Sequence, residues 1–191
     1  MSPERLYRVA AATLELRGDG RTVAGIAVPF DQPAEIAEGH RTYTEVFRRG
    51  AFAKTIRERG PQSVKFQALH NREKLPLGRA SLLREDGAGL YVELRASATR
   101  DADEVLTLIK DGALDGLSIS FTPVRDRWNT QRTAVERLEA KLHEVSAVPW
   151  PAYEGARIMA VRADLAPFGP YLPVDLARRR LALIRNGAHN A

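Results

Sequence analysis

The stretch that decides the fold is GALDGLSISF, residues 112–121, in which a tight turn leads into a strand. Apolar residues at 117, 119 and 121 alternate with hydroxyl residues at 118, 120 and 122, as expected of a strand that buries one face. The Asp-Gly pair at 115–116 supplies the turn. Ser118 is therefore predicted on the polar face of a short strand, where its hydroxyl is a candidate nucleophile.

A serine nucleophile needs partners, and the four histidines of the chain are the first candidates. A hydroxyl is weakly nucleophilic at neutral pH, so it requires a base within reach and a third group that orients the base. His70 ends the apolar run VKFQALH (64–70) and enters a charged loop, a usual position for a fixed but accessible base. His143 and Glu144 are neighbours in a second strand, KLHEVSAVPWPAY (141–153), and either could orient His70.

The sequence pattern predicts strands for most of the rest of the chain. Alternation and turn residues predict strands at 6–16, 22–28, 63–69, 78–84, 89–96, 117–124 and 133–148. About seven antiparallel strands in 191 residues predict a mainly β fold with helices (α+β), a closed antiparallel β-barrel without exposed edges. Two flanking helices are predicted, one at about 49–59 and one from an Asp101 N-cap, with Glu104 completing a capping box, to Gly112.

Composition limits the classes of function. The chain has no cysteine, which excludes disulfides, a thiol nucleophile and cysteine-ligated zinc. It contains no glycine-rich phosphate loop, HExxH motif or calcium loop, so no metal or nucleotide cofactor is expected. No apolar run reaches 18 residues and the first residues do not resemble a signal peptide, so we expect a cytoplasmic protein that does not enter a membrane.

The C-terminal part differs in composition from the rest. Residues 1–161 are predicted to form the barrel domain, and 162–191 a proline-containing linker and a basic helix or tail, with five arginines against two aspartates. The tail is predicted to dock on the barrel or on a second subunit. Its charge raises nucleic-acid binding as an alternative, but aromatic residues are 7% of the chain and do not interleave with the basic ones, so nucleic acid is disfavoured.

Three separated blocks of sequence, taken in their order along the chain, indicate more about function than single residues do. They are AVPFDQPAEI with YTEVFRRGAFAKTI (27–56), ALHNREKLPLGRASLLREDGAGLYVELR (68–95), and DGLSISF (115–121) with HEVSAVPWPAYEGARI (143–158). In this order they resemble the prohead, or procapsid maturation, proteases of tailed bacteriophages, which are related in fold to the herpesvirus assemblins. The likeness covers roughly residues 20–161, which isolated motifs would not do by chance.

The resemblance implies a serine protease with His70 as general base and Ser118 as nucleophile. The family's glutamate-valine-serine block implies Glu144 as the third member, whereas the assemblin relatives use a second histidine, which would be His143. Neighbours on one strand point to opposite faces, and we favour Glu144 because a carboxylate stabilises the imidazolium formed during attack. Many family members have glycine where this chain has Ser120, which makes Ser120 an alternative nucleophile or a hydrogen-bond donor.

The same resemblance implies the biological role. It implies an endopeptidase that cleaves the scaffolding segment of the major capsid protein, and the protease itself, inside the procapsid in the bacterial cytoplasm. A homodimer or higher oligomer is expected, because assembly would raise a small active fraction by mass action. The alternatives are a non-catalytic assembly module with the same fold and a basic nucleic-acid-binding domain.

Overall fold

The computed structural model describes residues 5–11, 15–17, 19–38 and 41–149, which form ten strands and few helices. The strands are β1 (Leu6–Ala11), β2 (Glu15–Arg17), β3 (Thr22–Pro29), β4 (Ala34–Glu38), β5 (Arg41–Phe47), β6 (Lys65–Ala68), β7 (Gly78–Glu85), β8 (Gly89–Ala96), β9 (Gly116–Trp128) and β10 (Ala134–Val148). The predicted domain boundary after residue 161 and the predicted tail at 162–191 lie outside the described residues.

One α-helix, α1 (Arg100–Lys110), leads toward β9. Its N-cap is Thr99, whose hydroxyl accepts a hydrogen bond from the amide of Ala102, so the predicted Asp101 cap is wrong by two residues. Glu104 pairs with Arg100 at 3.0 Å. The predicted helix at 49–59 is shorter, a turn followed by a π-helical segment at Thr55–Arg59. The buried face of α1 consists of Ala102, Leu106 and Ile109, at helical spacing.

The ten strands form one curled sheet, which is an open half-barrel. Its order is β1-β9-β10-β6-β7-β8-β3-β2, with β5 on β10 and β4 on β5. The mainly β class is confirmed, but the predicted closed antiparallel barrel is wrong: across the residues described, the terminal strands β1 and β2 do not pair with each other. The half-barrel therefore keeps β1 as an edge strand beside β9.

The length of β10 explains why the sheet is mixed and open. Along one side β10 pairs antiparallel with β9. Along its other side it pairs parallel with β5, at residues 134–137, and then parallel with β6, at residues 144–147. The sheet thus divides at β10 into two branches. Alternation along a sequence indicates that strands exist but does not identify their partners, so this branching was not predictable from pattern.

The apolar core lies on one face of the curled sheet. Phe47 stacks on Phe52 and meets Phe121 edge to face, with ring centroids 5.5 and 5.2 Å apart. Leu117 and Ile119 of β9 belong to the same buried cluster. Each fully buried side chain of this size contributes about 1.5–3 kcal/mol. This packing fixes the apolar face of β9, and hence the position of its polar face.

A buried ionic network connects the strands around Phe121. Glu45 on β5 is fully buried, and its two carboxylate oxygens share the Nε–H donor of Arg8, at 2.7 and 2.9 Å. Arg137 on β10 donates to the same carboxylate at 3.3 Å. The two guanidinium groups lie 5.8 and 5.7 Å from the centroid of the Phe121 ring. The network therefore attaches β1 and β5 to β9 and β10.

Candidate active site

Ser118 lies within β9, between the edge strand β1 and the long strand β10. It is directly opposite Val9 on β1 and Ser146 on β10. Directly opposite residues share a face of a sheet, and Leu117 and Ile119 belong to the core on the other face. The strand pairing therefore brings Ser118 and Ser146 together on the polar face.

A β-bulge in β10 decides which of the two candidate orienting residues shares that face. Leu142 is opposite Phe121, but the next paired residue of β10 is Glu144, which is opposite Ser120. His143 is the extra residue of the bulge. Because one residue is inserted, Leu142 belongs to the core and Glu144 to the polar face, although they are only two positions apart. Bulges commonly redirect side chains in this way beside active sites.

His70 follows β6 in a tight turn. The amide of Asn71 donates to the carbonyl of Ala68 at 3.1 Å, and the amide of Leu69 donates to the carbonyl of Ala147 at 3.1 Å, which attaches the turn to β10. Leu69 and His70 have φ angles of 55° and 54°. Left-handed backbone is uncommon for these residue types, especially for leucine, and such conformations cluster at functional sites. The turn directs the imidazole back over β10.

The structure brings His70, Ser118 and Glu144 into one hydrogen-bonded line. Nε2 of His70 is 2.5 Å from Oγ of Ser118, and Nδ1 is 2.5 Å from Oε1 of Glu144. We assign the Nδ1–H tautomer because a carboxylate only accepts, which leaves the lone pair of Nε2 to accept the serine proton. Ser118 is fully buried and Glu144 is 4% exposed, so both contacts are shielded from water.

Two further side chains hold Glu144 and the turn. Ser146 Oγ accepts a hydrogen bond from the backbone amide of His70 at 3.2 Å and donates to Oε1 of Glu144 at 3.1 Å. With its amide oriented so that nitrogen faces the carboxylate, Gln67 donates to the two oxygens of Glu144 at 2.7 and 3.2 Å. The sequence pattern did not indicate these two residues, although Ser146 follows Glu144 by two positions, the spacing that keeps both on one face of a strand.

The environment of Glu144 favours its ionised form. Burial alone would raise the pKa of this carboxyl group, but hydrogen bonding to His70 and the charge of that imidazole oppose burial. The hydrogen bond from Ser146 and the charge of Arg72 act in the same direction, and the pKa is lower than its ordinary value. At neutral pH the group therefore carries the negative charge that an imidazolium needs beside it.

Tyr7 of the edge strand covers the imidazole. Its ring meets the ring of His70 edge to face, with centroids 4.6 Å apart. The guanidinium of Arg72 lies 5.3 Å from the centroid of the Tyr7 ring. The N-terminal strand, which the sequence did not associate with the site, therefore contributes to its wall.

The two alternative residues occupy different surroundings. Ser120 is fully buried on the same face as Ser118, and its Oγ has no hydrogen-bond partner within the described part of the chain. His143 shares a hydrogen bond with Thr122 through Nε2 at 2.9 Å. Burial and several nearby cationic side chains lower the pKa of His143 to about 4, so it is neutral at pH 7. Neither residue contacts His70 by a hydrogen bond.

Over the described ranges, no group of three or more acidic, histidine or cysteine side chains is arranged to hold a metal ion. None of the helices in that part of the chain combines the length and the hydropathy that crossing a bilayer requires.

Comparison with known proteins identifies the family of the chain. Residues 8–169 match the family described as caudovirus prohead serine protease. The prohead protease of Enterobacteria phage HK97 is 26% identical over 153 residues, which are 78% of this chain and 65% of that protein; the chain thus spans less than two thirds of its relative. The structure of the bacteriophage T4 capsid assembly protease matches this chain with a TM-score of 0.51 and 16% sequence identity. The match covers 79% of this chain and all of that one, and it shows a similarity of fold.

Proposed function

The chain belongs to the caudovirus prohead serine protease family, and from this membership and the geometry of the site we propose that it is a serine endopeptidase of phage capsid maturation. The observation that carries the proposal is the line of contacts from Ser118 through His70 to Glu144, at 2.5 Å each. Three groups separated by dozens of residues are aligned as a nucleophile, a base and an orienting carboxylate.

The proposed reaction is amide hydrolysis through an acyl-enzyme. Oγ of Ser118 attacks the scissile carbonyl carbon while its proton passes to Nε2 of His70. The C–N bond then breaks, and the same proton goes to the leaving amine. A water molecule, deprotonated by Nε2 of His70, then attacks the ester carbon; the bond from that carbon to Oγ breaks, and His70 returns the proton to Oγ of Ser118. Glu144 holds the Nδ1–H tautomer and stabilises the imidazolium in both halves of the reaction.

The proposed substrates are capsid proteins, among them the scaffolding segment of the major capsid protein, and the protease itself. Burial of the Ser118 hydroxyl supports a site that opens only under particular conditions, because a substrate carbonyl must reach Oγ. We therefore propose that the enzyme acts in the host cytoplasm inside procapsids. Confinement or assembly into a homodimer or higher oligomer there would favour the open form by mass action.

Co-expression with the major capsid protein of the same phage tests the proposal. Intact masses of both proteins are compared for wild type, Ser118→Ala, His70→Ala and Ser120→Ala. We expect wild type and Ser120→Ala to shorten the capsid protein, and Ser118→Ala and His70→Ala to leave it whole. Loss of cleavage only in Ser120→Ala would transfer the nucleophile to that residue. Intact capsid protein with all four chains, even in assembled shells, would favour the assembly module.

Labelling with a fluorophosphonate provides an independent readout that needs no natural substrate. Such probes phosphonylate an activated serine with loss of fluoride, and peptide mapping identifies the modified residue. We expect modification of Ser118 in wild type and none in His70→Ala, because the hydroxyl is a weak nucleophile without its base.

A further inference from the structure

A cavity of ≈ 530 Å³ opens beside the β6, β7 and β8 strands, and all the charged residues that line it are cationic. Four basic side chains line it: Arg21, Lys65, Arg79 and Arg95. The remaining lining consists of small or apolar residues, among them Pro76. This cavity is not used by the proposed reaction.

Three of the four cations stand in one row across the sheet. Lys65 on β6 is directly opposite Arg79 on β7, and Arg79 is directly opposite Arg95 on β8. Directly opposite like charges destabilise a sheet. The row therefore has an electrostatic cost that an anionic ligand would offset.

Acidic residues of the chain neutralise only part of this cluster. Arg95 forms two hydrogen bonds of 2.7 Å with the carboxylate of Asp19. Arg21 pairs with Asp103 at 2.6 Å. The side chains of Lys65 and Arg79 are exposed, and neither side chain forms a hydrogen bond or ion pair with any residue that the structure describes. Two positive charges of the row, those of Lys65 and Arg79, are thus available to a ligand.

The row begins next to the candidate active site. Lys65 is directly opposite Glu144 in the parallel pair of β6 with β10, so it shares the face of the sheet that carries Ser118. Strands lie about 4.8 Å apart, so Arg79 is about 10 Å from β10 and about 14 Å from β9. An extended peptide advances about 3.3 Å per residue, and the distance corresponds to roughly three to five residues.

We propose that Lys65 and Arg79 form a specificity subsite that binds an acidic side chain of the substrate peptide, roughly three to five residues from the scissile bond. The inference rests on the proposed function and defines its substrate class as peptides with an acidic residue at that distance. Charge complementarity identifies the occupant. The chain's own residues 162–191 carry five arginines against two aspartates, and this basic segment does not fit the subsite.

Peptide binding to the Ser118→Ala chain tests the subsite without requiring hydrolysis. The probes are two rhodamine-labelled peptides, one of alternating glutamate and glycine and one of alternating glutamine and glycine, and the readout is fluorescence anisotropy. We expect the glutamate peptide to bind more tightly, and added Lys65→Gln and Arg79→Gln to weaken it about tenfold, as for two exposed ionic contacts. The glutamine peptide should bind all chains alike.

A matched control separates the subsite from overall charge. Arg49→Gln with Arg57→Gln removes the same charge from exposed positions that do not line the cavity, and binding should be retained. The inference would be overturned if both peptides bound equally, or if the control weakened binding as much. A single-stranded oligonucleotide provides a further test. The inference would also be overturned if the oligonucleotide displaced the peptide and if its binding were weakened more than that of the peptide by the loss of Lys65 and Arg79. Failure of proteolysis in wild type, with selective binding intact, would instead count against the proposed function alone.

In an active preparation, the same variants give a kinetic readout. Lys65→Gln with Arg79→Gln should raise KM for an acidic substrate about tenfold with kcat nearly unchanged, because an interaction remote from the reacting atoms is made equally in the ground and transition states. A fall in kcat at constant KM would contradict a substrate-binding role.

Discussion

Leu142 and Glu144 are two residues apart on β10, yet Leu142 belongs to the apolar core and Glu144 faces His70. In a regular strand, residues at this spacing share a face. The bulge at His143 adds one residue and reverses the alternation of faces. Leu142 and Glu144 therefore lie on opposite faces of the sheet, although two positions separate them. The bulge also separates the two candidate orienting residues, since Glu144 contacts His70 while His143 contacts Thr122.

We expect Glu144→Gln to lower the rate of acylation by about 10²- to 10⁴-fold with the fold intact. The amide can donate to Nδ1, which favours the wrong tautomer of His70, and it carries no charge to stabilise the imidazolium. The rate of fluorophosphonate labelling measures the effect. Glu139→Gln is the control, because Glu139 lies on the same strand and pairs with Lys54 at 3.3 Å, away from His70. Unchanged labelling by Glu144→Gln, together with a loss in His143→Gln, would transfer the orienting role to His143.

The sequence predicted the strands around the core better than it predicted β4 and β5, which were missed. Apolar alternation is clear in β9, where the core residues Leu117, Ile119 and Phe121 are spaced by two. In β5 the buried positions include Glu45, and a glutamate at such a position in the sequence predicts a side chain that faces solvent. Its burial depends on Arg8 and Arg137, which come from distant parts of the chain. A local sequence pattern therefore does not predict the burial of a charged side chain whose partners are distant in the sequence.

For the site, local pattern indicated Ser118 on a polar strand face and His70 at a strand end, and the family resemblance supplied their proposed roles. It did not indicate the backbone that directs the imidazole, since leucine and histidine in sequence carry no signal of left-handed φ. The contact of Gln67 with Glu144, and that of the His70 amide with Ser146, depend on the parallel pairing of β6 with β10. That pairing joins segments more than seventy residues apart, which alternation alone does not specify.

We expect Ser146→Ala to lower kcat about tenfold and to change KM little, because it removes the acceptor of the His70 amide and a donor to Glu144 without removing a reacting atom. The loss also leaves a backbone donor without its partner, which costs about 1–3 kcal/mol of stability. Steady-state kinetics and urea unfolding measure the two effects separately.

The conservative variant and a matched control distinguish positioning by Ser146 from a general loss of structure. Ser146→Thr retains the hydroxyl and should recover much of kcat. Ser81→Ala removes a hydroxyl that bonds the carbonyl of Glu93 on an exposed strand face, and it should leave kcat unchanged. Equal loss of kcat in the alanine and threonine variants would show that the hydrogen bonds are not the cause.

We expect His143 to contribute to acid destabilisation between about pH 6.5 and pH 4. Burial lowers the pKa of this imidazole from 6.5 to about 4, and nearby cations act in the same direction. The cations are Arg5, Arg59, Lys141 and Arg72. Between these values the unfolded chain binds the proton and the folded chain does not, so the free energy of unfolding falls as the pH is lowered through this range.

Urea unfolding at a series of pH values in wild type and His143→Gln tests this assignment. Glutamine retains a polar contact with Thr122 but does not titrate, so its unfolding free energy should depend less steeply on pH within the window. Above pH 6.5 the two curves should run parallel. Parallel curves throughout would mean that the imidazole of His143 is protonated as readily in the folded protein as in the unfolded chain.

We expect Leu69→Asn to raise the melting temperature by about 2–4 °C. Leu69 has a φ of 55°, a conformation that costs an ordinary side chain about 1–2 kcal/mol and that asparagine adopts more readily. The side chain is 60% exposed, so little packing is lost. Leu69→Val should lower the melting temperature, because a branched Cβ is less compatible with left-handed backbone.

Leu75→Asn is the control for this prediction. Leu75 is an 88% exposed position of the same loop without positive φ, so the substitution should change the melting temperature little. Equal destabilisation by asparagine and valine at position 69 would mean that packing of Leu69, and not its backbone conformation, determines the stability of the turn that carries His70.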